Sequence, residues 1–245
     1  MQTTSSNEPR KLALPFVGRI KEIAQLQRLH KQRKHVLILG PKGVGKSALV
    51  ARLRESLGLR VCPASERLSE ICEALEREFD LEAGDLHIVQ RKNRLLKLLK
   101  GIPHRRDAVV FDGAAWTTPK LSSFIENVTE RVPVWLCARS EHPWDIGHIW
   151  PLLVRFEHVE LRPFHLHETR LLVETAVQRR FVPQNALDAV AHLHRLAHGL
   201  PQTLCDLLVR LGSHHYNLSS THGLRLLDLD RRIQLLPASG KAQAG

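Results

Sequence analysis

Eight consecutive residues, Gly40-Pro41-Lys42-Gly43-Val44-Gly45-Lys46-Ser47, keep the spacing Gly-x4-Gly-Lys-Ser. They come directly after the apolar run His35–Leu39 (HVLIL) and directly before the helical run SALVARL that starts at Ser47-Ala48. A strand that turns through glycines into a helix leaves successive backbone N–H groups facing one concavity at the positive end of the helix, which is a nest for a phosphate group. Side chains would fill that nest, which is why glycine recurs. In such a loop Lys46 reaches the β and γ phosphates as a point charge and the Ser47 hydroxyl ligates Mg²⁺. The segment Gly40 to Ala48 is therefore the candidate phosphate-binding element.

The rest of the chain fits a parallel sheet around this loop. Apolar runs at Leu59–Cys62, Ala108–Phe111, Val134–Cys137 and Phe156–Leu161 join His35–Leu39 as five expected strands. Between them, Leu, Ile and Ala recur at spacings of three and four over Arg19–Lys31, Lys46–Leu57, Glu66–Glu78, Leu86–Leu99 and Leu121–Glu130. Strands alternating with helices define an α/β fold with the sheet buried on both faces. After Pro163 the strand signals stop, and helical patterns at about His167–Arg180, Gln184–His198 and Gln202–Leu211 read as a small all-helical domain. The expected organisation is a core over 13–162, a helical domain over 163–232, and polar tails over 1–12 and 233–245.

A magnesium site needs a second anchor, and Asp112 at the end of the buried run AVVFD provides one. Alignment of an attacking water normally uses a carboxylate beside it. The following residues are instead Gly113, Ala114 and Ala115. Glu66 could substitute in principle, although an acid there also reads as an ordinary helix start.

On these residues the chain resembles the AAA+ and STAND group of P-loop ATPases over roughly residues 13 to 212. Phe16-Val17-Gly18-Arg19-Ile20-Lys21-Glu22 is similar to the FVGRxxE box of origin-recognition-type and STAND proteins. That resemblance implies adenine contacts from Phe16, Val17 and Arg19. Val134-Trp135-Leu136-Cys137-Ala138-Arg139 resembles the sensor 1 strand, with Arg139 implied as a reader of the γ-phosphate. Arg155, before the fifth strand, sits where relatives carry an arginine finger for a neighbouring subunit. Gly199-Leu200-Pro201 resembles the GxP motif of the lid, whose proline packs over the nucleotide. The resemblance implies an ASCE-type P-loop NTPase, a three-layer αβα sandwich with a helical lid. It also implies ATP and Mg²⁺ as cofactors, ATP or ADP as ligands, and a homo-oligomer on ATP binding.

Lys and Arg number 36 against 25 Asp and Glu, a net charge of +11 with His neutral. Polyphosphate and nucleic acid are the partners such a balance favours. Between Leu86 and Arg106 there is no acid and there are seven bases, including Arg91, Lys92, Arg94 and Lys97. Leu95, Leu96, Leu98 and Leu99 would form the buried stripe, leaving the cations on the opposite face for DNA phosphates. Four scattered cysteines without a CxxC pair, no apolar run long enough to span a bilayer and no apolar leader favour a reduced, cytoplasmic protein with no membrane partner. His194 and His198 are spaced to share a helix face, without an HExxH glutamate. Two functions compete: an oligomeric ATPase that regulates a DNA transaction, and a nucleotide-operated switch that acts through protein contacts with little hydrolysis.

Overall fold

A computed structural model describes residues 14, 16–63, 65–82, 84, 86–101, 107–218 and 220–235. The expected tail over 1–12, most of the one over 233–245, and Arg105 and Arg106 of the basic run lie outside the described residues. The chain divides into two compact units, one of Arg19–Arg162 and one of Met1–Gly18 with Pro163–Gly245.

The first unit runs α1 (Ile20–Lys31), β1 (His35–Leu39), α2 (Lys46–Leu57), β2 (Leu59–Cys62), α3 (Leu68–Glu78), α4 (Ile88–Lys100), β3 (Ala108–Asp112), α5 (Pro119–Thr129), β4 (Val134–Ala138), α6 (Pro143–Ile146), a 3₁₀ turn at Trp150–Arg155, and β5 (Phe156–Glu160). All strand pairings are parallel, in the order β2-β3-β4-β1-β5. Thus β4 lies between β1, which leads into the glycine loop, and β3, which ends in Asp112. The apolar runs become strands because both faces are covered. Leu37, Val109, Phe111, Val134 and Leu136 pack with α3, α4 and α5 in one core. Alternation turns the intervening residues to the other face, where Trp135 meets His30 of α1 edge-on at 6.0 Å. Each buried Leu of this kind contributes about 1.5–3 kcal/mol through removal from water. The strand ends, and whatever they carry, therefore sit on a stiff platform.

The two short elements at Pro143–Ile146 and Trp150–Arg155 have no counterpart in the periodicity. They are held both by burial of Ile146, Ile149, Leu152 and Leu153 in the core and by tertiary hydrogen bonds: Thr117 Oγ1 donates to the Ile146 carbonyl at 2.6 Å and accepts from the Ile149 N–H at 3.0 Å.

The second unit contains α7 (Leu166–Gln178), a 3₁₀ turn at Gln184–Leu187, α8 (Val190–Ala197), α9 (Pro201–Ser213) and α10 (Thr221–Leu235). Its core gathers Val173, Leu193, Leu207 and Leu227, with Leu14 and Val17 packed at its edge. The single helix expected over Gln184–His198 is two elements, and His198 leaves α8 in the left-handed conformation at φ 50°. His194 and His198 therefore do not share a helix face, and the Nδ1 of His194 is bonded to Thr169 Oγ1 at 2.8 Å. The tail expected from 233 is helical through Leu235, because Leu224 and Leu227 bury one side of α10.

Candidate functional site

The glycine loop leaves β1 and closes on the first turn of α2. Gly40, at φ +151°, admits no side chain: a Cβ there would stand 2.5 Å from the Leu161 carbonyl oxygen and 2.9 Å from Val44 Cγ1. At Gly45, φ is +100° but a Cβ would meet nothing within 4 Å. Space is limiting at the first position and conformation at the second. The side at Gly45, at the N-terminus of α2, is open, with room for an anion beside the first turn of the helix. Gly43 is also left-handed, at φ +82°. Pro41, Lys42 and Ala48 are exposed, as is Ser47, whereas Val44 is fully buried and anchors the loop.

Lys46 folds over its own loop, its Nζ donating to the carbonyls of Gly40 at 2.6 Å and Pro41 at 3.1 Å. Partial burial lowers its pKa from the ordinary lysine value. Cys137 and Asp112 oppose that shift and Arg139 adds to it. Those three groups reach the ammonium because Asp112 pairs with Cys137 across β3 and β4 while Leu39 pairs with Ala138 across β1 and β4. Sequence reasoning did not assign Cys137 a contact with the site. Burial, the Asp112 charge and a hydrogen bond with Asp112 hold its thiol well above the usual range. The backbone after Asp112 wraps this strand end, the N–H groups of Gly113 and Ala114 both donating to the Cys137 carbonyl at 3.1 and 2.8 Å. Ser47 and Asp112 offer hydroxyl and carboxylate oxygens, the donor set that a hard cation such as Mg²⁺ requires.

Arg139 is exposed immediately after β4, at the same sheet end. Arg155 is also exposed but closes the 3₁₀ turn that precedes β5, at the opposite end. Its neighbour there is His35, the first residue of β1, whose pKa is lowered by burial and by the Arg155 charge. Strands of five residues rise about 3.3 Å per residue, so roughly 16 Å of sheet separates Arg155 from the glycine loop of its own chain.

Arg19 is buried at φ +60°, and its guanidinium donates to the carbonyls of Val44 and Arg162 and to Glu22 Oε1. It braces the glycine loop from the protein side. Phe16 and Val17 belong to the helical unit, as does Pro201, the first residue of α9. Gly199 beside it is at φ +68°, and a Cβ there would stand 2.6 Å from the Phe164 carbonyl, whose own N–H donates to the Gly199 carbonyl at 2.7 Å.

The basic run forms α4 with a different division of labour from the one expected. Arg91 does not face away from the leucine stripe. It lies one turn before Leu95 and donates to Glu73 at 2.9 Å, with the buried Glu76 at 3.7 Å. Arg94 donates to the Glu82 carbonyl at 2.9 Å. Lys92 is half-buried, and Lys97 is the exposed member of the four.

Glycine loop, intervening strand order and acidic strand end together define a P-loop ATPase of the AAA+ type. The model of the AAA ATPase domain family matches residues 15–212, and the chain belongs to that family. No curated protein matches the sequence. Among solved structures it is similar to the Orc1 protein of Aeropyrum pernix, solved in complex with DNA, at TM-score 0.65 and 17% identity over 93% of this chain and 68% of that one. It is also similar to a Walker-type ATPase of Pyrococcus abyssi (TM-score 0.62, 15% identity, 94% and 76% covered). A third similar structure is Cdc6p of Pyrobaculum aerophilum (TM-score 0.60, 15% identity, 85% and 64% covered). No helix among the described residues is long and apolar enough to cross a membrane.

Proposed function

We propose that the chain binds ATP with Mg²⁺ in the Gly40–Ser47 loop, assembles with copies of itself, and uses the nucleotide cycle to regulate a transaction on DNA. The observation that carries this reading is the division of charged groups between the two ends of one sheet. Lys46, Asp112 and Arg139 share an end, and Arg155 is at the other. Backbone N–H groups of the loop and α2 would take the phosphate tail, and Lys46 would exchange its two carbonyl partners for phosphate oxygens. Ser47 and Asp112 would hold Mg²⁺, which supplies neutralisation of charge that develops on the transferred phosphoryl group. Arg139 is positioned to sense the terminal phosphate. Arg155 lies too far away to serve its own loop and suits a neighbour's.

For DNA the supports are the charge of +11, the exposed Lys97 and Lys100 of α4 and the Orc1 fold solved with DNA. A second reading, a switch with little turnover, is favoured by Gly113, Ala114 and Ala115, which leave no carboxylate after Asp112.

Size-exclusion chromatography with ATP, ADP or no nucleotide, with and without duplex DNA, tests assembly. The proposal expects an ATP-dependent oligomer that duplex DNA stabilises. Lys46→Ala should abolish binding of labelled ATP. Arg155→Ala should keep ATP affinity and lose at least about tenfold of assembly-stimulated hydrolysis, the pattern of a group that acts only on transition-state charge. ATP-dependent assembly without DNA binding or turnover would favour the switch, and a folded Lys46→Ala protein that binds ATP normally would remove the phosphate-loop assignment.

A further inference from the structure

The last helix of the second unit, α10, has two apolar faces. Leu224 and Leu227 turn one of them into the core of the unit. Successive residues of a helix are rotated by about 100°, so Leu226, Leu229 and Ile233 fall on the opposite side. They stand in water: Leu226 is 39% exposed, Leu229 51% and Ile233 53%. Intervals of three and four are those of the a and d positions of a heptad, the narrow seam that one helix offers to another with the same repeat. An isolated helix of 15 residues is marginal in water, but the buried face already holds this one in place. Pairing along the exposed face therefore costs little further ordering.

The charges that flank the seam select its occupant. With Leu226 and Ile233 at a and Leu229 at d, Arg225 takes a g position and Asp230 an e position. In a parallel pair, the g residue of one helix faces the e residue five places later in the other. Arg225 and Asp230 are five places apart and opposite in charge, so a second copy laid alongside in register meets the seam with two ion pairs, one on each flank. Arg225 is exposed and, among the described residues, is in no ion pair within its own chain. Asp230 is half-buried, and the Tyr216 hydroxyl donates to its Oδ2 at 2.7 Å, which fixes the carboxylate and leaves its charge. Arg232, the other g residue, is taken by the buried Asp228 at 2.7 Å. An antiparallel pair sets g against g, which brings Arg225 toward Arg232 and forfeits both ion pairs.

We propose that α10 pairs in parallel with α10 of a second copy, seam against seam, to give a two-fold dimer. Leu226, Leu229 and Ile233 form its centre and the reciprocal contacts of Arg225 with Asp230 its edges. A contact between like surfaces closes on two copies. It differs in this from assembly through Arg155, which joins unlike surfaces, and it needs no nucleotide. The seam is short, so the pair is weak and depends on concentration.

The test is sedimentation equilibrium of the full chain over a concentration series, without nucleotide, on wild type, Leu229→Asp, Arg225→Glu, Asp230→Lys, and an equimolar mixture of the last two. Wild type should dimerise. Each single change should weaken the dimer by about tenfold or more, since a charge enters the seam or both flanking pairs become repulsive. The mixture should form a mixed dimer, because the two changed charges attract each other and the unchanged Arg225 and Asp230 still do. Arg155→Ala should dimerise as wild type does, which separates this contact from ATP-dependent assembly. Circular dichroism melts establish that each variant is folded. Should Asp230→Lys fail to fold through loss of its bond to Tyr216, Leu229→Asp and Arg225→Glu decide alone. A wild type that stays monomeric would overturn the pair. So would a dimer that Leu229→Asp or Arg225→Glu leaves unchanged, which puts the contact elsewhere, and folded charge variants whose mixture stays monomeric, which removes the parallel register.

Discussion

The guanidinium of Arg19 donates to the carbonyl of Val44 at 3.1 Å from a side chain that is 5% exposed. The same nitrogen reaches the Arg162 carbonyl at 2.6 Å, so one residue fastens the glycine loop to the chain that leaves β5. Bonds from a buried cation to carbonyls contribute about 1.5–3 kcal/mol each. Arg19→Ala should therefore lower unfolding stability by about 2 kcal/mol or more, read from chemical denaturation. It should also weaken ATP binding through a loosened loop, and Arg19→Lys should recover only part of either.

Gly40 and Gly45 separate two demands on the loop. Gly40→Ala forces a Cβ to 2.5 Å from the Leu161 carbonyl and should destabilise the fold by about 2–4 kcal/mol, combining overpacking with left-handed strain. Gly45→Ala meets no atom and should cost about 1–2 kcal/mol of strain, yet fill the side from which a phosphate would approach. Thermal melts and titrations with labelled ATP should rank the two variants in opposite order.

His35 gives the first unit a pH dependence of known sign. Its Nδ1 accepts from the Val134 N–H at 3.1 Å, which requires the unprotonated nitrogen, and burial and then Arg155 lower its pKa below 6.5. Above pH 6.5 the histidine is neutral in folded and unfolded chains alike. As pH falls below 6.5 the unfolded chain takes up the proton first, and stability is lost until the folded pKa is passed. NMR titration should place the His35 pKa below 6.5, and Arg155→Ala should raise it. An unchanged value would mean that the Arg155 charge does not reach the ring.

Arg91 and Lys97 lie on one helix but should fail differently. Arg91→Ala leaves the buried Glu76 without its cation, so it should reduce stability by about 1–3 kcal/mol and leave the salt dependence of DNA binding almost unchanged. Lys97→Glu removes an exposed charge, so it should spare stability and lower the salt slope for duplex by about one unit for each phosphate that is no longer neutralised. Melts paired with anisotropy at several salt concentrations distinguish them.

Much of the architecture is legible in the amino-acid sequence itself. The runs HVLIL and LRVC become β1 and β2 at the expected residues, because a strand covered on both faces is apolar throughout and bounded by loop residues. The glycine loop was legible for a similar reason, since its conformation permits few residue types. What escaped depended on contacts distant in sequence. The turn Trp150–Arg155 exists because Thr117 bonds to its approach, and Arg91 joins the packed side because α3 offers Glu73 and Glu76. Cys137 comes beside Asp112 only through strand register. Helix α10 is an exception, for Leu224 and Leu227 are three apart and the apolar signal was present.

The placement of Arg155 at one end of the sheet and Lys46 at the other has a consequence for mixtures. If a working site forms only where two copies meet, each copy brings two separable halves, and damage to one half leaves the other intact. Arg155→Ala and Lys46→Ala proteins, each inactive alone, should regain hydrolysis when combined, because the intact loop of the first can meet the intact arginine of the second. Restored turnover should rise and then level as the ratio approaches equality. A chain carrying both changes should instead poison wild-type assemblies in proportion to its share.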